Sequence, residues 1–355
     1  MDLRIEPIDS SHRKAKPEDK ALGFGRFFTD HMFTMVYREG HGWHDAAITP
    51  YHDFRLDPAT MVFHYGQAIF EGLKAYRRPD GRAFLFRPKD NLARMNTTAS
   101  RMCMATIPVE PVYEAMLRLL DLERDWIPVS RGASLYIRPT MIATEAGLGV
   151  RPAASYLFFI ILSPVGAYYP EGFNPVKIFV TDRYVRAAPG GVGHVKTAGN
   201  YAASIMAAVE AQAQGFTQVL WLDAVHRRYI EEVGTMNIFF LLDDELVTPP
   251  LGGSILPGIT RDSVIRLAQD WGIKVVERPL AIDEVYAASR EGRLREAFGT
   301  GTAAVISPVG SLSYQGETCT VNGGQTGPLA SRLFETLLGI QYGEEADPHG
   351  WTVTF

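Results

Sequence analysis

The sequence is poor in three features, each of which would point to a particular class of protein. It has only two cysteines, Cys103 and Cys319, at no metal-binding spacing. We therefore expect no disulfide framework, no bound metal and a reducing cytoplasm. The longest apolar run, residues 156–162, is too short to span a bilayer. Lysines and arginines do not cluster among aromatic residues, so nucleic acid is not an expected partner.

What remains is the composition of a globular enzyme. The chain has 355 residues, of which 46% are hydrophobic and 21% charged, and its net charge is −5. This length favours two lobes over one core. The charged residues 1–20 do not resemble a secretory signal.

Strand and helix patterns alternate along the chain, which predicts an α/β or α+β fold. Residues 163–176 concentrate proline and glycine, which favours a connection between lobes. We therefore predict a small N-terminal domain over residues 1–164, a loop over residues 165–176 and a larger domain over residues 177–355. The alanine-rich residues 200–215 predict one helix, which Gly215 stops. Another helix is predicted to begin at the N-cap Thr260 and to end before Gly272.

Four features of the second half can carry chemistry, although each has an ordinary structural explanation when taken alone. Lys196 lies among Gly190, Gly191, Gly193 and Gly199, in "GGVGHVKTAGN". Glu231 and Glu232 precede a Gly-Thr turn. "PGIT" opens a helix whose first amides, at Ile259 and Thr260, suit an anion. "GTGTA" is a second Gly-Thr turn.

Together these features indicate pyridoxal 5′-phosphate (PLP). The lysine can bind the cofactor's aldehyde, a carboxylate can hold its ring nitrogen, and the turns can hold its phosphate. The glycines would let the loop pack closely around a buried lysine.

Longer stretches around these features resemble a known family. "VKTAGNYAAS", "EVGTMNIFF", "ILPGITRD" and "FGTGTAAVISPV" in the second half, with "HYGQAIFEGLKAY" and "SLYIRP" in the first, resemble the branched-chain amino-acid aminotransferases. The resemblance covers roughly residues 20–345. It implies the two-lobed fold-type IV architecture of PLP enzymes, like that of D-amino-acid aminotransferase. It also implies a homodimer or larger oligomer.

The resemblance assigns roles to individual positions. Lys196 would bind PLP and move the proton of the reaction. Glu232, rather than Glu231, would hold the ring nitrogen. The other implied cofactor contacts are Arg94, Tyr201, Thr235, Ile259, Thr260 and Thr302.

The same resemblance implies a substrate pocket with two tasks. It would accept the side chains of leucine, isoleucine and valine, and also the side-chain carboxylate of glutamate, which Arg138 would meet. The amides of Thr302 and Ala303 would hold the α-carboxylate. The implied apolar wall consists of Phe24, Tyr65, Phe70, Tyr136 and Tyr168. The implied activity is amino-group transfer between branched-chain amino acids and 2-oxoglutarate.

Two other functions remain open on the residues alone. Within the same fold, the chain could be a D-amino-acid aminotransferase or an aminodeoxychorismate lyase. In a different class, it could be a non-catalytic phosphate-binding module that uses "GGVG", although it has neither the dinucleotide-binding nor the P-loop spacing. The animal relatives carry a Cys-x-x-Cys pair where this sequence reads "AVIS" (residues 304–307), so no redox switch is expected there. His194 has no assigned role.

Overall fold

The computed structural model describes residues 2–166 and 173–355, and its contacts divide them into two units. The first unit contains residues 2–166, the short segment Val195–Gly199 and the C-terminal segment Gly339–Phe355. The second unit contains residues 173–194 and Asn200–Leu338.

Elements of the first part of the chain are β1 (Arg4–Ile5), β2 (His31–Arg38), β3 (Gly42–Pro50), α1 (Met61–Tyr65), β4 (Ala68–Phe70), β5 (Leu73–Arg77), β6 (Ala83–Phe86), α2 (Pro88–Arg101), α3 (Val109–Leu122), β7 (Ser134–Ala143) and β8 (Ser155–Val165). Those of the second part are β9 (Val176–Thr181), α4 (Ala198–Ala202), α5 (Ile205–Ala213), β10 (Gln218–Leu222), β11 (Ile230–Val233), β12 (Met236–Leu242), β13 (Glu245–Thr248), α6 (Ile259–Asp270), β14 (Lys274–Glu277), α7 (Ile282–Arg290), β15 (Leu294–Gly301), β16 (Val305–Tyr314), β17 (Glu317–Thr320), α8 (Pro328–Gln341) and β18 (Thr352–Thr354). None of the helices formed by the described residues is long and apolar enough to cross a membrane.

The first unit is built on a sheet in the order β1-β3-β2-β8-β7-β5-β6-β18, with β4 paired to β7. Most of its pairs are antiparallel. Helices α2 and α3 are amphipathic, and their apolar residues, such as Leu92, Met95 and Met116, join the buried core of this sheet. The opposite side of α2 is therefore left for polar contacts.

The second unit is built on a sheet in the order β11-β10-β9-β16-β15-β12-β13-β14, with β17 paired to β16. A further pairing of β11 with β12 closes six of these strands into a ring. In this pairing Glu232 lies directly opposite Asn237. Residues opposite each other on antiparallel strands point to the same face, so the two side chains can meet.

The two units differ from the predicted domains at two segments. The predicted loop itself, residues 165–176, runs from the last residue of β8, Val165, to the first residue of β9, Val176. The segment that carries Lys196, however, belongs to the first unit, because Thr197 forms a β-bridge with Ile69 of β4. The C-terminus also belongs there, because β18 pairs with β6.

Two local predictions on helices were wrong. The segment predicted as one helix, residues 200–215, is divided between two short helices, α4 (Ala198–Ala202) and α5 (Ile205–Ala213). Both the N–H and the hydroxyl of Ser204 donate to the Tyr201 carbonyl, at 3.1 and 2.7 Å, in the turn between them. Helix α6 has Gly258 as its N-cap, and Thr260 lies inside its first turn. The predicted helix ends at Gly215 and Gly272 are confirmed, since both have a positive φ.

Candidate active site

Lys196 is held by its backbone on two sides within the first unit. Its carbonyl accepts a hydrogen bond from the Phe70 N–H of β4 at 3.1 Å. Its N–H donates to the Thr98 hydroxyl of α2 at 3.2 Å. The side chain of this half-buried lysine is therefore directed from a fixed backbone rather than from a loose loop.

Two glycines before the lysine are closely packed against residues other than Lys196, so packing around the lysine stays a prediction. A Cβ on Gly191 would lie 2.9 Å from the Ala188 carbonyl. A side chain on Gly193 would bring its Cβ within 2.3 Å of the Ala187 side chain and of the Ser254 carbonyl, so only glycine fits there. His194 has a structural contact, since its Nδ1 lies 2.9 Å from the Gly253 carbonyl.

Five residues that the resemblance assigns to the site come together in the first unit. The Lys196 Nζ lies 4.9 Å from the centre of the Phe70 ring, and the Arg138 guanidinium carbon lies 4.5 Å from it. Arg138 donates from Nη2 to the Tyr136 hydroxyl at 3.0 Å, and the Tyr136 ring meets the Phe24 ring edge-on at 5.1 Å. The result is a cation-bearing aromatic surface next to the lysine.

The other two predicted wall residues are not part of this cluster. Tyr65 ends α1 with 37% of its surface exposed, and its hydroxyl donates to the Leu148 carbonyl. Tyr168 lies outside the described residues. Their roles in substrate binding stay predictions.

Arg94 lies on the polar side of α2 and is almost buried, with 10% of its side chain exposed. Its Nε donates to Glu71 Oε1 at 2.8 Å and its Nη2 to Glu71 Oε2 at 2.9 Å. Glu71 is fully buried, and Asn91 donates to its Oε2 at 2.9 Å. Burial alone would raise the pKa of Glu71, but Arg94, the charge of Lys196 and the Asn91 bond hold that pKa below its ordinary value.

Glu232 occupies a buried position in the second unit, with 2% of its surface exposed. Asn237 donates to its Oε1 at 3.1 Å, and Arg186 forms an ion pair with its Oε2 at 2.6 Å. The adjacent Glu231 instead accepts a hydrogen bond from the Ser254 hydroxyl. Burial raises the pKa of Glu231, opposed by the Ser254 bond and by the charge of Arg186.

Arg186 is the polar residue of this region that sequence reasoning missed. It is 7% exposed, and its Nη1 donates to the Ser254 carbonyl at 2.9 Å and to the Gly193 carbonyl at 3.3 Å. Its only sequence signal is an arginine that closely precedes the glycine-rich loop, which is too weak to distinguish a buried ion pair from a solvated charge.

The N-terminus of α6 connects to Glu232 through Asn237. The Asn237 Nδ2 also donates to the Leu256 carbonyl at 2.9 Å. Its Oδ1 would lie 2.0 Å from a Cβ at Gly258, so the N-cap has to be glycine. Because glycine has no side chain with which to cap the helix, the first turn, with Ile259 and Thr260, retains the character of an anion site.

The remaining predicted cofactor and substrate contacts occupy turns and a helix end. Thr302 and Ala303 are half-buried in the turn between β15 and β16. Thr235 is exposed in the turn between β11 and β12, beside Gly234 with its φ of +57°. Tyr201 is half-buried on α4. These placements leave the assigned roles as predictions.

The chemistry of these groups fits PLP. The first unit supplies an amine, Lys196, and a nearly buried guanidinium, Arg94. The second unit supplies a buried carboxylate, Glu232, which is paired with Arg186. It also supplies the N-terminus of α6, whose N-cap is a glycine. An aldehyde, a phosphate and a protonated ring nitrogen are the matching parts of the cofactor.

Known proteins are similar to this chain over nearly its whole length. The family model described as "Amino-transferase class IV" matches residues 68–312. Branched-chain-amino-acid transaminase 1 of Bacillus subtilis (strain 168) is 54% identical over 354 residues, which cover 99% of each chain.

Solved structures agree with this match. The Escherichia coli branched-chain amino acid aminotransferase superposes with a TM-score of 0.75 at 29% identity, covering 90% of this chain and 98% of that one. The T.th. branched-chain amino acid aminotransferase, complexed with N-(5′-phosphopyridoxyl)-L-glutamate, gives a TM-score of 0.74 at 28% identity, with 90% and 97% covered. This chain therefore belongs to the class IV aminotransferases, and within them to the branched-chain amino acid aminotransferases.

Proposed function

We propose that this enzyme transfers the amino group between L-leucine, L-isoleucine or L-valine and 2-oxoglutarate, with PLP as its cofactor. The products are the branched-chain 2-oxo acids and L-glutamate, and the two half-reactions alternate on one site. The observation that carries the proposal is the cluster of Lys196, Phe70, Arg138, Tyr136 and Phe24 in the first unit.

This cluster suits a substrate pocket with two tasks. The rings of Phe24, Phe70 and Tyr136 offer an apolar surface to an aliphatic side chain. Arg138 offers a cation to the side-chain carboxylate of glutamate. Its Nε is buried and meets no hydrogen-bond partner within residues 2–166 and 173–355, which supports a role toward a ligand. The complex of the T.th. enzyme with a phosphopyridoxyl-glutamate also supports glutamate as a substrate.

The residues divide the chemistry between them. When bound, PLP supplies an aldehyde carbon and an electron-accepting ring. Lys196 would hold the cofactor through Nζ and, once the substrate's amine has displaced it from that bond, would take up and return the proton of the reaction at Nζ. Glu232, which Arg186 holds in a buried ion pair, would place its carboxylate against the ring nitrogen and keep that nitrogen protonated.

The phosphate and the substrate α-carboxylate require separate donors. Arg94, the first-turn amides of Ile259 and Thr260, and Thr302 hold the phosphate. The amides of Thr302 and Ala303 hold the α-carboxylate, while Tyr201 and Thr235 contact the ring. Tyr65 and Tyr168 stay predicted contacts of the substrate side chain on the strength of the family resemblance alone.

The proposal extends to the assembly and the location of the enzyme. We infer a homodimer or larger oligomer, which exposed apolar residues such as Leu148, Val150 and Ile205 support, since oligomer interfaces cover such side chains. A cytoplasmic location is supported by Cys103 and Cys319, both of which are free thiols.

The test is the visible spectrum of the purified protein with PLP, before and after addition of L-leucine. We expect a pyridoxal band that L-leucine bleaches and 2-oxoglutarate restores, whereas D-alanine and aminodeoxychorismate leave it unchanged. Lys196→Ala should lack the protein-bound band and lose activity by about 10³-fold or more. Full activity in this variant, or bleaching by D-alanine alone, would contradict the proposal.

A further inference from the structure

The fully buried carboxylate of Glu71 has no place in the mechanism above. It lies in the turn between β4 and β5, directly after Phe70, and none of its surface is exposed. Burying a charge is costly unless it is paired and hydrogen-bonded. The hydrogen bonds that Glu71 accepts therefore offset the cost of its burial. The groups that donate these bonds are the ones that Glu71 can position.

These partners are all groups that would face the cofactor or support those that do. Arg94 donates twice, from Nε and Nη2, at 2.8 and 2.9 Å. Asn91 and the Gly72 N–H donate to Glu71 Oε2 at 2.9 and 3.2 Å. The charge of Lys196 is also close enough to lower the pKa of Glu71.

One face of α2 collects these contacts. Asn91, Arg94 and Thr98 are three and four residues apart, so they lie on one side of the helix. Asn91 and Arg94 bind Glu71, and Thr98 accepts the backbone N–H of Lys196 at 3.2 Å. Glu71 thus lies where the helix that carries Arg94 meets the strand that holds Lys196.

We propose that Glu71 is a positioning residue, which fixes the Arg94 guanidinium in one plane so that it is preorganised for the phosphate of PLP. A side-on pair with two parallel bonds sets both the plane and the rotation of a guanidinium. The inference rests on the proposed function, because it takes Arg94 as the phosphate ligand.

Two effects of removing the Glu71 charge oppose each other, and the proposal predicts which one wins. Without Glu71 the site carries one negative charge less, which by itself would attract a phosphate more strongly. The guanidinium would also lose its fixed orientation, which weakens the phosphate contact. In a buried, bidentate geometry we expect the orientation effect to dominate.

The experiment compares PLP with pyridoxal, which has the same ring and aldehyde but no phosphate. Both are titrated into the full-length apo-protein, and binding is followed by visible absorbance and by intrinsic fluorescence. Glu71→Gln should raise the Kd for PLP about tenfold while changing the Kd for pyridoxal less than about twofold. In Arg94→Gln the additional change Glu71→Gln should have almost no effect on the Kd for PLP.

Control variants separate positioning from general damage. Glu110→Gln removes the carboxylate of an exposed ion pair with Lys89 of α2 and should leave both affinities unchanged. Asn91→Ala removes a donor to Glu71 and should reproduce the PLP-selective loss in weaker form, which keeps the test usable if Glu71→Gln does not fold.

Equal weakening of PLP and pyridoxal, unchanged PLP binding or tighter PLP binding in Glu71→Gln would each overturn the proposal. Failure of the proposed function is a distinct result, since the unmodified protein would then bind no PLP at all.

Discussion

Two buried arginine–glutamate pairs, one in each unit, are built in opposite ways. In the first unit the carboxylate is the anchored partner, because Glu71 accepts from Asn91 and Gly72 as well as from Arg94. In the second unit the cation is anchored, because Arg186 also donates to the Gly193 and Ser254 carbonyls while it pairs with Glu232.

From this difference we propose which member of each pair faces the ligand. Glu71, which also accepts from Asn91 and Gly72, would support Arg94 as a cation for a phosphate. Arg186, which also donates to the Gly193 and Ser254 carbonyls, would support Glu232 as an anion for a protonated ring nitrogen. The same pair of residue types can therefore preorganise either sign of charge.

The strongest test of this comparison neutralises the oriented carboxylate of the second unit. Glu232→Gln should bind PLP but lower kcat by about 10²- to 10⁴-fold, because the ring nitrogen loses the charge that keeps it protonated. Stopped-flow and steady-state rates with L-leucine measure the loss. Near-normal turnover, with a large loss in the matched variant Glu231→Gln, would transfer the role to Glu231.

Removing the support of the second unit should mainly affect stability. Arg186→Met leaves the Glu232 charge buried without its cation and should cost about 3–5 kcal/mol in the free energy of unfolding at neutral pH. Urea denaturation measures this cost. Arg183→Met, at an arginine with 72% of its side chain exposed, is the control and should change the unfolding curve little. Similar curves for both variants would argue against the supporting role.

Arg138 is a useful third case for the comparison. Its contacts are with the rings of Phe70 and Tyr136 and with the Tyr136 hydroxyl. Arg138→Met keeps an apolar stem but removes the cation. We expect kcat/KM for L-glutamate to fall about 30-fold, near 2 kcal/mol, with only a few-fold change for L-leucine. Equal losses for the two substrates would count against dual recognition.

The smallest expected effect is on the stability of the folded protein at acid pH, through the Glu71–Arg94 pair of the first unit. Because the pKa of Glu71 is held below its ordinary value of 4.5 by Arg94, Lys196 and Asn91 against the effect of burial, its ionised form stabilises the folded state. That contribution is complete above the unfolded pKa and is lost as the pH falls through the folded pKa. Thermal melting from pH 6 down to pH 3 should therefore be flatter for Glu71→Gln than for the unmodified protein. If the melting temperature of Glu71→Gln fell more steeply with falling pH than that of the unmodified protein, ionised Glu71 would not stabilise the folded state.

The elements were predictable where local patterns decide them. Glycine located the ends of two helices, since Gly215 and Gly272 both have the positive φ expected there. Tertiary contacts overrode the local signal at two helix starts. The Asn237 side chain requires glycine at position 258, so Thr260 is not the N-cap. The Ser204 bonds to Tyr201 accompany a break in a helix that alanine content alone would continue.

The candidate site was predictable mainly through the family resemblance. Tyr136 and Arg138 lie two residues apart on β7, so strand alternation puts them on one face. Phe24 and Lys196 are far from them in the chain, and no spacing rule predicts that all four meet. Glu71 and Arg186 were missed for a different reason. A buried charge is recognisable only from its partner, and the partners Arg94 and Glu232 are distant in sequence.

The return of the C-terminus to the first unit has a consequence for biosynthesis. All residues of the second unit, up to Leu338, leave the ribosome before Gly339–Phe355, which belong to the first. The first unit is thus the last to have all its residues synthesised, because β6 cannot pair with β18 until residues 352–354 have been made. Chain growth favours folding of N-terminal domains first, and here that order is reversed for the final step. A ribosome stalled before Thr352 would carry a second unit with all its residues and a first unit with an open sheet edge.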